Sequence, residues 1–164
     1  MDSPFKDKVY AITGGASGIG WVTAKLISEK GGIVCIADAN KPALDEVEKY
    51  LTEKDPDIQF SVHHVDVADK VRVQLWMTDI KRTFGRLDGA ANIAGVTGRD
   101  HGLKPVQDLD DDEWDRIIGV NLTGTMYCLR EELKVIEPKG SIVNMASIHA
   151  TNGKLWPAQL ESAE

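Results

Sequence analysis

A glycine-rich segment near the start of the chain carries the residue types and spacing that bind phosphate groups. Residues 13–20 read Thr-Gly-Gly-Ala-Ser-Gly-Ile-Gly, a G-x-x-x-G-x-G spacing. Gly14 permits a tight turn, Gly18 lets a phosphate approach the backbone, and Gly20 lets a helix pack closely against the preceding strand. Backbone N–H groups and the positive helix end would then face a pyrophosphate. The segment therefore predicts a dinucleotide site.

Asp38, at the end of the second apolar run, is the next residue with a chemical reading. A carboxylate there can accept hydrogen bonds from both hydroxyls of an adenosine ribose, and it repels a 2′-phosphate. Ala39 stands where a basic residue would suit a phosphorylated cofactor, although Lys41 is close by. We therefore expect NAD(H) in preference to NADP(H); the alternative is a solvated aspartate in a turn.

The order of the elements that must position these residues indicates an α/β fold. Short apolar runs alternate with helical patterns: strands are predicted at 8–13, 33–37, 58–65, 87–91 and 141–145, and helices at 18–30, 42–54, 71–84 and 112–133. This alternation predicts parallel strands joined by right-handed crossovers, in a Rossmann-like doubly wound sheet. Ligands of such sheets bind beyond the carboxyl ends of the strands.

The spacing of apolar residues predicts how the helices face the sheet. In helix 18–30 the helix-spaced apolar residues are Ile19, Val22, Leu26 and Ile27. The inner face of helix 42–54 is predicted to carry Leu44, Val47 and Leu51. The inner face of helix 71–84 is predicted to carry Val71, Leu75, Ile80 and Phe84.

Composition narrows the range of partners. The chain has 164 residues, 42% of them hydrophobic, and a net charge of −7, which fits one domain without a basic stripe. We therefore expect no nucleic-acid partner and no membrane partner. Cys35 and Cys128 lie in apolar runs, as buried thiols in a reduced compartment do. No signal-peptide pattern precedes the first strand, so the expected location is cytoplasmic.

The histidines and acids do not form a metal-ligand pattern. His63 and His64 fall on opposite faces of a strand, so a structural role is expected. The acidic residues from Asp108 to Glu113 are predicted to cap the long helix and complement its dipole. His101 lies in a loop near the predicted site and could contact a ligand, or it could simply be solvated. No metal is predicted.

Five segments, in order, resemble the short-chain dehydrogenase/reductase family between about residue 5 and residue 154. The segment at 13–20 is similar to the family's phosphate loop, which adds Ser17 and Ile19 to the cofactor-binding residues. Asp66-Val67 resembles its adenine-contacting pair. Residues 92–95 resemble its N-N-A-G signature, with Ile93 replacing the second asparagine; the matching residues are Asn92, Ala94 and Gly95.

Two further matches concern catalysis. Asn121 resembles the asparagine that holds a water in the family's proton relay, and Ser147 resembles the serine that hydrogen-bonds the substrate oxygen. The matches also have simpler structural interpretations. Ser147 could be an ordinary loop serine, and Asn92 could connect the ends of neighbouring strands. Asparagine disfavours a helix interior, so Asn121 predicts a polar role or a kink.

The resemblance stops where the family places its proton donor. Its tyrosine lies about thirteen residues after the serine and its lysine four residues later, but Leu160 and Glu164 occupy those positions here. No tyrosine follows Tyr127, and the last lysine is Lys154. Leucine has no proton to give, and glutamate has the wrong charge to lower a phenol pKa. The resemblance therefore implies an NAD(H)-binding relative of hydride-transfer enzymes that is weak or inactive in redox by itself.

The chain is also shorter than the family pattern. Residues 1–154 are expected to form the N-terminal part of the family's domain, truncated after the fifth strand, and residues 155–164, including Trp156, do not resemble the family. The sheet is expected in the order 3-2-1-4-5 with the fifth strand at an exposed edge. We expect self-association through that edge or through the helix at 112–133.

Two other functions stay open. One is a non-redox isomerase, dehydratase or cyclase that reuses the pocket, with Ser147, Asn121 or His149 polarising a carbonyl of a small metabolite. The other is a dehydrogenase completed by a second chain or by a longer product of the same gene. His149 and Lys154 are the candidate substitutes for the missing acid. The breadth of the family suggests a role in secondary metabolism.

Overall fold

The computed structural model describes residues 3–54, 58–99 and 106–147. These residues form a parallel sheet flanked by helices. In chain order the elements are β1 (Val9–Thr13), α1 (Gly18–Glu29), β2 (Ile33–Asp38), α2 (Lys41–Lys54), β3 (Phe60–His64), α3 (Lys70–Phe84), β4 (Gly89–Asn92), α4 (Asp111–Ile118), α5 (Thr125–Glu132) and β5 (Ser141–Asn144).

The five strands are all parallel and lie in the order β3-β2-β1-β4-β5. This confirms the predicted fold class and strand order, and it places β5 at one edge of the described sheet. The register aligns Thr13 of β1 with Asn92 of β4, and Asn92 with Asn144 of β5. The last residues of three neighbouring strands therefore form one row, and the loops that follow them leave the sheet together.

Two hydrophobic clusters fix the helices against the sheet. Ile12 belongs to the cluster with α1 and α2, whereas its neighbour Ala11 belongs to the cluster with α3 and α5, because successive strand residues point to opposite faces. The predicted inner face of α2 is confirmed, since Leu44, Val47 and Leu51 are all buried.

The predicted inner face of α3 is wrong at two positions. Val71 and Leu75 are 52% and 55% exposed, and the buried residues are Val73, Trp76, Met77 and Ile80. Both sets have helical spacing, so the pattern alone does not choose between them. The buried set contains the tryptophan and the methionine, and burying it removes more apolar area from water.

The side of α1 that faces the sheet starts with small residues and ends with Ile27, the one predicted apolar residue of this helix that is buried, at 7% exposure. Ile19, Val22 and Leu26 are at least half exposed, while Gly20 and Ala24 are buried. A Cβ on Gly20 would lie 2.1 Å from the carbonyl oxygen of Gly14. The first turn of α1 therefore lies too close to the glycine-rich loop, directly after β1, for a side chain at position 20. The close packing predicted for Gly20 against the strand is a contact with this loop.

The long helix predicted at 112–133 is present, with helical backbone throughout from Asp111 to Glu132. A π-helical segment, Gly119–Gly124, separates α4 from α5. Asn121 lies inside this segment, which agrees with the expected irregularity at that residue. The predicted capping role of the acidic run is confirmed, because the Asp110 side chain accepts a hydrogen bond from the Glu113 N–H at 3.1 Å.

Both cysteines are buried thiols within the hydrophobic clusters. Burial raises the pKa of Cys35 and of Cys128 to about 12. In the parts of the chain that the structure describes, each helix is too short or too polar to cross a membrane.

Candidate functional site

The loops at the carboxyl ends of the first four strands line one cleft of about 510 Å³. Its walls include every predicted cofactor-binding residue except Asn92: Gly14, Ser17, Gly18, Ile19, Gly20, Asp38, Asp66, Val67, Ala94 and Gly95. These residues come from four separate loops. The parallel sheet brings them together because its strands all end at the same side.

The glycine-rich loop takes a conformation that two of its glycines require. Gly14 and Gly18 have φ angles of +65° and +49°, in the left-handed region that favours glycine. A Cβ on Gly14 would also lie 2.9 Å from the backbone of Ala94. The loop therefore presents bare backbone to the cleft at the start of α1, where the N–H groups and the helix dipole favour a phosphate.

Asp38 connects this loop to the end of β2. Its Oδ2 accepts a hydrogen bond from the Ala16 N–H at 3.0 Å, and its Oδ1 accepts one from the Asn40 N–H at 2.9 Å. Each carboxylate oxygen has a second lone pair. The carboxylate can therefore hold the loop in place and still accept the two hydroxyls of a ribose, which is the donor set that an unphosphorylated adenosine offers.

Lys41 does not counter the charge of Asp38. Its ammonium group instead donates to the carboxylate of Asp45, one turn along α2. The basic residue that complicated the cofactor prediction is thus paired with another carboxylate.

The loop after β4, residues 93–99, forms a further wall of the cleft and is held from both sides. Thr13 Oγ1 accepts hydrogen bonds from the N–H groups of Ile93 at 3.1 Å and Ala94 at 3.2 Å. From the opposite side, Asn121 Oδ1 accepts the Val96 N–H at 2.8 Å, and Asn121 Nδ2 donates to the Val96 oxygen at 2.9 Å. The amide of Asn121 therefore acts as a bracket for the cleft wall.

Arg116 is a cleft residue that the sequence reasoning did not identify. Its guanidinium donates to the Thr97 oxygen at 3.1 Å and to both carboxylate oxygens of Glu113 at 3.1 Å. Glu113 also accepts the N–H of Arg99, and these contacts lower the pKa of Glu113 to about 2, with Arg116 as the main cause. In the sequence, only the spacing of three residues between Glu113 and Arg116 could have indicated this ion pair on the helix.

Asn92 lies behind the cleft and does not line it. It is 4% exposed, and its Nδ2 donates to Glu132 Oε2 and to Asn144 Oδ1, each at 3.0 Å. These contacts agree with the plainer reading of Asn92 as a tie between strand ends. Glu132 was also missed, although it follows buried Cys128 by one helical turn and so lies on the inner face of α5.

The other candidate residues do not line the cleft, or they lie outside the part of the chain that the structure describes. Ser147, the last residue described, is exposed and follows Met145, which does line the cleft. His64 Nε2 lies 3.0 Å from the Ala39 oxygen, and burial lowers the pKa of His63. Five candidates lie outside the described residues: His101, His149, Lys154, Leu160 and Glu164.

No metal site can be built from the described residues, since none of their histidines, cysteines and acids form a group of three that could hold an ion.

Known proteins are similar to this chain in sequence and in fold. A family model described as enoyl-(acyl carrier protein) reductase matches residues 14–159. The chain is 51% identical over 150 residues to short-chain dehydrogenase/reductase ABA4 of Pyricularia oryzae, covering 92% of this chain and 55% of that protein. It is 42% identical over 161 residues to the aba4 protein of Botryotinia fuckeliana, covering 98% of this chain and 62% of that protein.

A solved structure of NAD⁺-bound xylitol dehydrogenase has the same fold, with a TM-score of 0.82 and 29% identity, covering 98% of this chain and 60% of that one. The chain therefore spans somewhat more than half the length of the proteins it resembles.

Proposed function

Because the chain belongs to the short-chain dehydrogenase/reductase family, we propose that its cleft binds NAD(H) and that these 164 residues by themselves transfer hydride weakly or not at all. One observation carries the proposal of binding: a single cleft joins the glycine-rich loop to Asp38. A bound nicotinamide dinucleotide would supply the carbon that gives a hydride to a ketone or takes one from a secondary alcohol.

Three features of the cleft support a dinucleotide as its ligand. The bare backbone at Gly14 and Gly18 suits a pyrophosphate, and the two free lone pairs of Asp38 suit a ribose. Val65 and Val67, both largely buried, add apolar groups to the cleft wall on either side of the exposed Asp66, and such groups suit the adenine. The xylitol dehydrogenase of the same fold is a protein bound to NAD⁺.

The charge at Asp38 supports NAD(H) over NADP(H). A 2′-phosphate on the ribose would meet this carboxylate, and Lys41 is engaged with Asp45. Asp38→Asn keeps one oxygen for the loop and removes the charge. We expect the variant to gain at least about fivefold in NADPH affinity relative to NADH, because two like charges about 4 Å apart repel by ~1 kcal/mol even in water. The exposed Glu48→Gln is the charge-matched control.

The proposal of weak redox activity rests on residue identity. Leu160 and Glu164 stand at the family's tyrosine and lysine positions, so the chain lacks a phenol near Ser147 in sequence. Loss of a general acid typically costs about 10² to 10⁴ in rate. In a non-redox role, such as isomerisation, dehydration or cyclisation of a small metabolite, Ser147, Asn121 or His149 would orient or polarise a carbonyl group.

Two measurements test the proposal. Calorimetric titration with NADH should show saturable binding, and no binding up to millimolar cofactor would overturn the assigned site. NADH oxidation with a panel of ketones should stay near the rate without protein. Turnover at an ordinary dehydrogenase rate by this chain alone would overturn the proposal of weak activity.

A second candidate function is a dehydrogenase completed by another chain, and exposed apolar surface supports it. Along the helices it comprises Trp114, Leu122, Met126 and Leu133, and at the β5 edge it comprises Val143 and Met145. Surface of this kind is ordinarily covered in a stable protein. We therefore propose that the chain associates through the helix face or through the β5 edge. A second copy of this chain would cover these surfaces, but it has the same Leu160 and Glu164, so only a different chain could supply the tyrosine and lysine.

A further inference from the structure

A polar cluster of two buried residues and one exposed residue joins the carboxyl ends of β4 and β5 to helix α5. Asn92 Nδ2 donates to Glu132 Oε2 and to Asn144 Oδ1, both at 3.0 Å. Asn92 and Glu132 are 4% and 1% exposed. Asn92 and Asn144 are paired across the strands, and the Met145 N–H donates to the Asn92 oxygen at 2.8 Å. We refer to Asn92, Asn144 and Glu132 as the Glu132 cluster.

The Glu132 cluster lies directly behind the cleft. Ile93 and Ala94, whose N–H groups are bound by Thr13, follow Asn92 immediately and line the cleft. Met145, which follows Asn144, lines it as well. A change in the hydrogen bond between Asn92 and Asn144 would therefore shift two walls of the cleft, one at Ile93 and Ala94 and the other at Met145.

The amide of Asn92 is satisfied on one side only. Both hydrogens of its Nδ2 are used, one by Glu132 and one by Asn144, whereas its buried Oδ1 has no hydrogen-bond donor among the described residues. A carboxylate only accepts hydrogen bonds, so ionised Glu132 requires this orientation. A carboxylic acid carries a hydrogen that it can donate. Protonated Glu132 also keeps an oxygen that accepts from Nδ2, so it permits either orientation of the amide. If the amide turned over, the acid would donate to Asn92 Oδ1, and Nδ2 would no longer donate to Asn144 Oδ1.

We propose that Glu132 is a positioning residue that couples binding of the dinucleotide to pH: its carboxylate aligns the ends of β4 and β5 for the cofactor, and its acid form releases that alignment. The inference rests on the proposed NAD(H) site and names a control of that site.

The surroundings of Glu132 raise the pKa of its carboxyl group into the neutral range. Burial raises the pKa of Glu132 to about 7, and the hydrogen bond from Asn92 acts in the opposite direction. The titratable neighbour on α5 is Cys128, which stays a neutral thiol because burial, with the charge of Glu132 adding to it, raises its pKa to about 12. The α3 residues of the same hydrophobic cluster cannot titrate: Val73, Trp76, Met77 and Ile80.

The test is NADH affinity measured by cofactor fluorescence between about pH 5.5 and about pH 8.5. The wild-type chain should bind about fivefold more tightly at the upper end, which corresponds to the ~1 kcal/mol of one net hydrogen bond. Glu132→Gln is neutral at every pH and has an N–H₂ group where the acid has O–H. It should therefore keep the weaker affinity throughout.

The matched control is Glu131→Gln, next to Glu132 on the same helix. Glu131 accepts from Lys134 at 2.6 Å, and this contact is the main cause of its lowered pKa, so Glu131 stays ionised across the range. Its replacement should leave the pH step in place. Asn144→Ala removes the acceptor on exposed β5 and should flatten the step without altering Glu132.

The outcomes separate this inference from the proposed function. A pH step that persists in Glu132→Gln or in Asn144→Ala, or a wild-type affinity that does not change with pH, would overturn the role of Glu132 while leaving the NAD(H) site intact. Absence of NADH binding at every pH would overturn the site itself. Circular dichroism of each variant verifies that the chain is folded.

Discussion

Gly20 shows how closely single residues determine the shape of the cleft. It is buried at the first turn of α1, and a Cβ there would overlap the carbonyl oxygen of Gly14 at 2.1 Å. The atom in the way is backbone, so no side-chain rotation relieves the overlap. The conformation of the glycine-rich loop at Gly14 therefore depends on the absence of a side chain at Gly20.

Gly20→Ala should lower the free energy of unfolding by about 3 kcal/mol, the upper end of overpacking costs, and should also abolish NADH binding because Gly14 must move. Urea unfolding and calorimetric titration measure the two effects. Gly85→Ala is the control: its φ is +74° but a Cβ would have open space, so it should cost roughly 1–2 kcal/mol of left-handed strain and leave binding unchanged. Equal loss of binding in both variants would argue against the close contact.

Glu132 makes a second prediction at this scale, for stability. Its folded-state pKa of about 7 lies above the ordinary value of 4.5, so folding favours the protonated form. This contribution is complete below about pH 4.5 and is lost as the pH rises through about 7. The free energy of unfolding of Glu132→Gln does not depend on this group. The difference in unfolding free energy between Glu132→Gln and the wild type should therefore grow in favour of the variant by about 2 kcal/mol as the pH rises from about 5.5 to about 8.5. Urea unfolding at both pH values measures it, and a difference that is constant with pH would contradict a buried titrating carboxyl.

At the scale of elements, the π-helical segment Gly119–Gly124 and the loop at 93–99 act as one unit. The wider π-helical turn lies within the long helix and contains Asn121. The side-chain amide of Asn121 forms hydrogen bonds with both the N–H and the carbonyl oxygen of Val96. A π-helical turn inside an α-helix often marks a functional position. Here its visible effect is to hold a wall of the cleft, and the proton-relay role of Asn121 stays a prediction.

Asn121→Ala should release that wall. We expect faster amide hydrogen exchange at Val96 and an NADH affinity lower by about fivefold, the equivalent of ~1 kcal/mol for one net hydrogen bond. Leu122→Ala, in the same segment and 64% exposed, should change neither measurement. Unchanged exchange at Val96 in the Asn121 variant would show that the loop is held by Thr13 and Arg116 instead.

The helix faces show what periodicity does and does not specify. The face of α2 was predicted because its apolar residues form a single row, Leu44, Val47 and Leu51. In α3 apolar residues form two rows, and the burial of Trp76 decides between them. In α1 only Ile27 of the predicted apolar residues is buried, and Ile19, Val22 and Leu26 are exposed, because the first turns of the helix pack through Gly20 and Ala24.

At the scale of the whole molecule, apolar surface remains exposed both on the helices and at an edge of the sheet. Met126 is 44% exposed, and Val143, on edge strand β5, is 59% exposed. An edge strand also presents unpaired backbone groups to a second chain. The acidic net charge of −7 opposes association through repulsion and does not cover these surfaces.

The chain should therefore show concentration-dependent association in analytical ultracentrifugation. Met126→Lys should weaken it if the helix face is the contact, and Val143→Lys should weaken it if the β5 edge is, because a charge at the contact must be desolvated. A monodisperse monomer at tens of micromolar, in the order of concentrations where exposed apolar patches associate, would contradict the proposal of self-association.

The sequence by itself determined the alternation of parallel strands and helices, the glycine loop and the position of Asp38, because these depend on local spacing and on the direction of parallel strands. It also fixed the absence of a tyrosine after Tyr127. The order of the strands was expected from the resemblance to the family. Only the tertiary structure decided that Asn92 turns away from the cleft toward Glu132, and that Arg116 and Asn121 hold the loop after β4. Those contacts join residues 19 to 40 positions apart, and no periodicity of one element records which side chain of another will meet it.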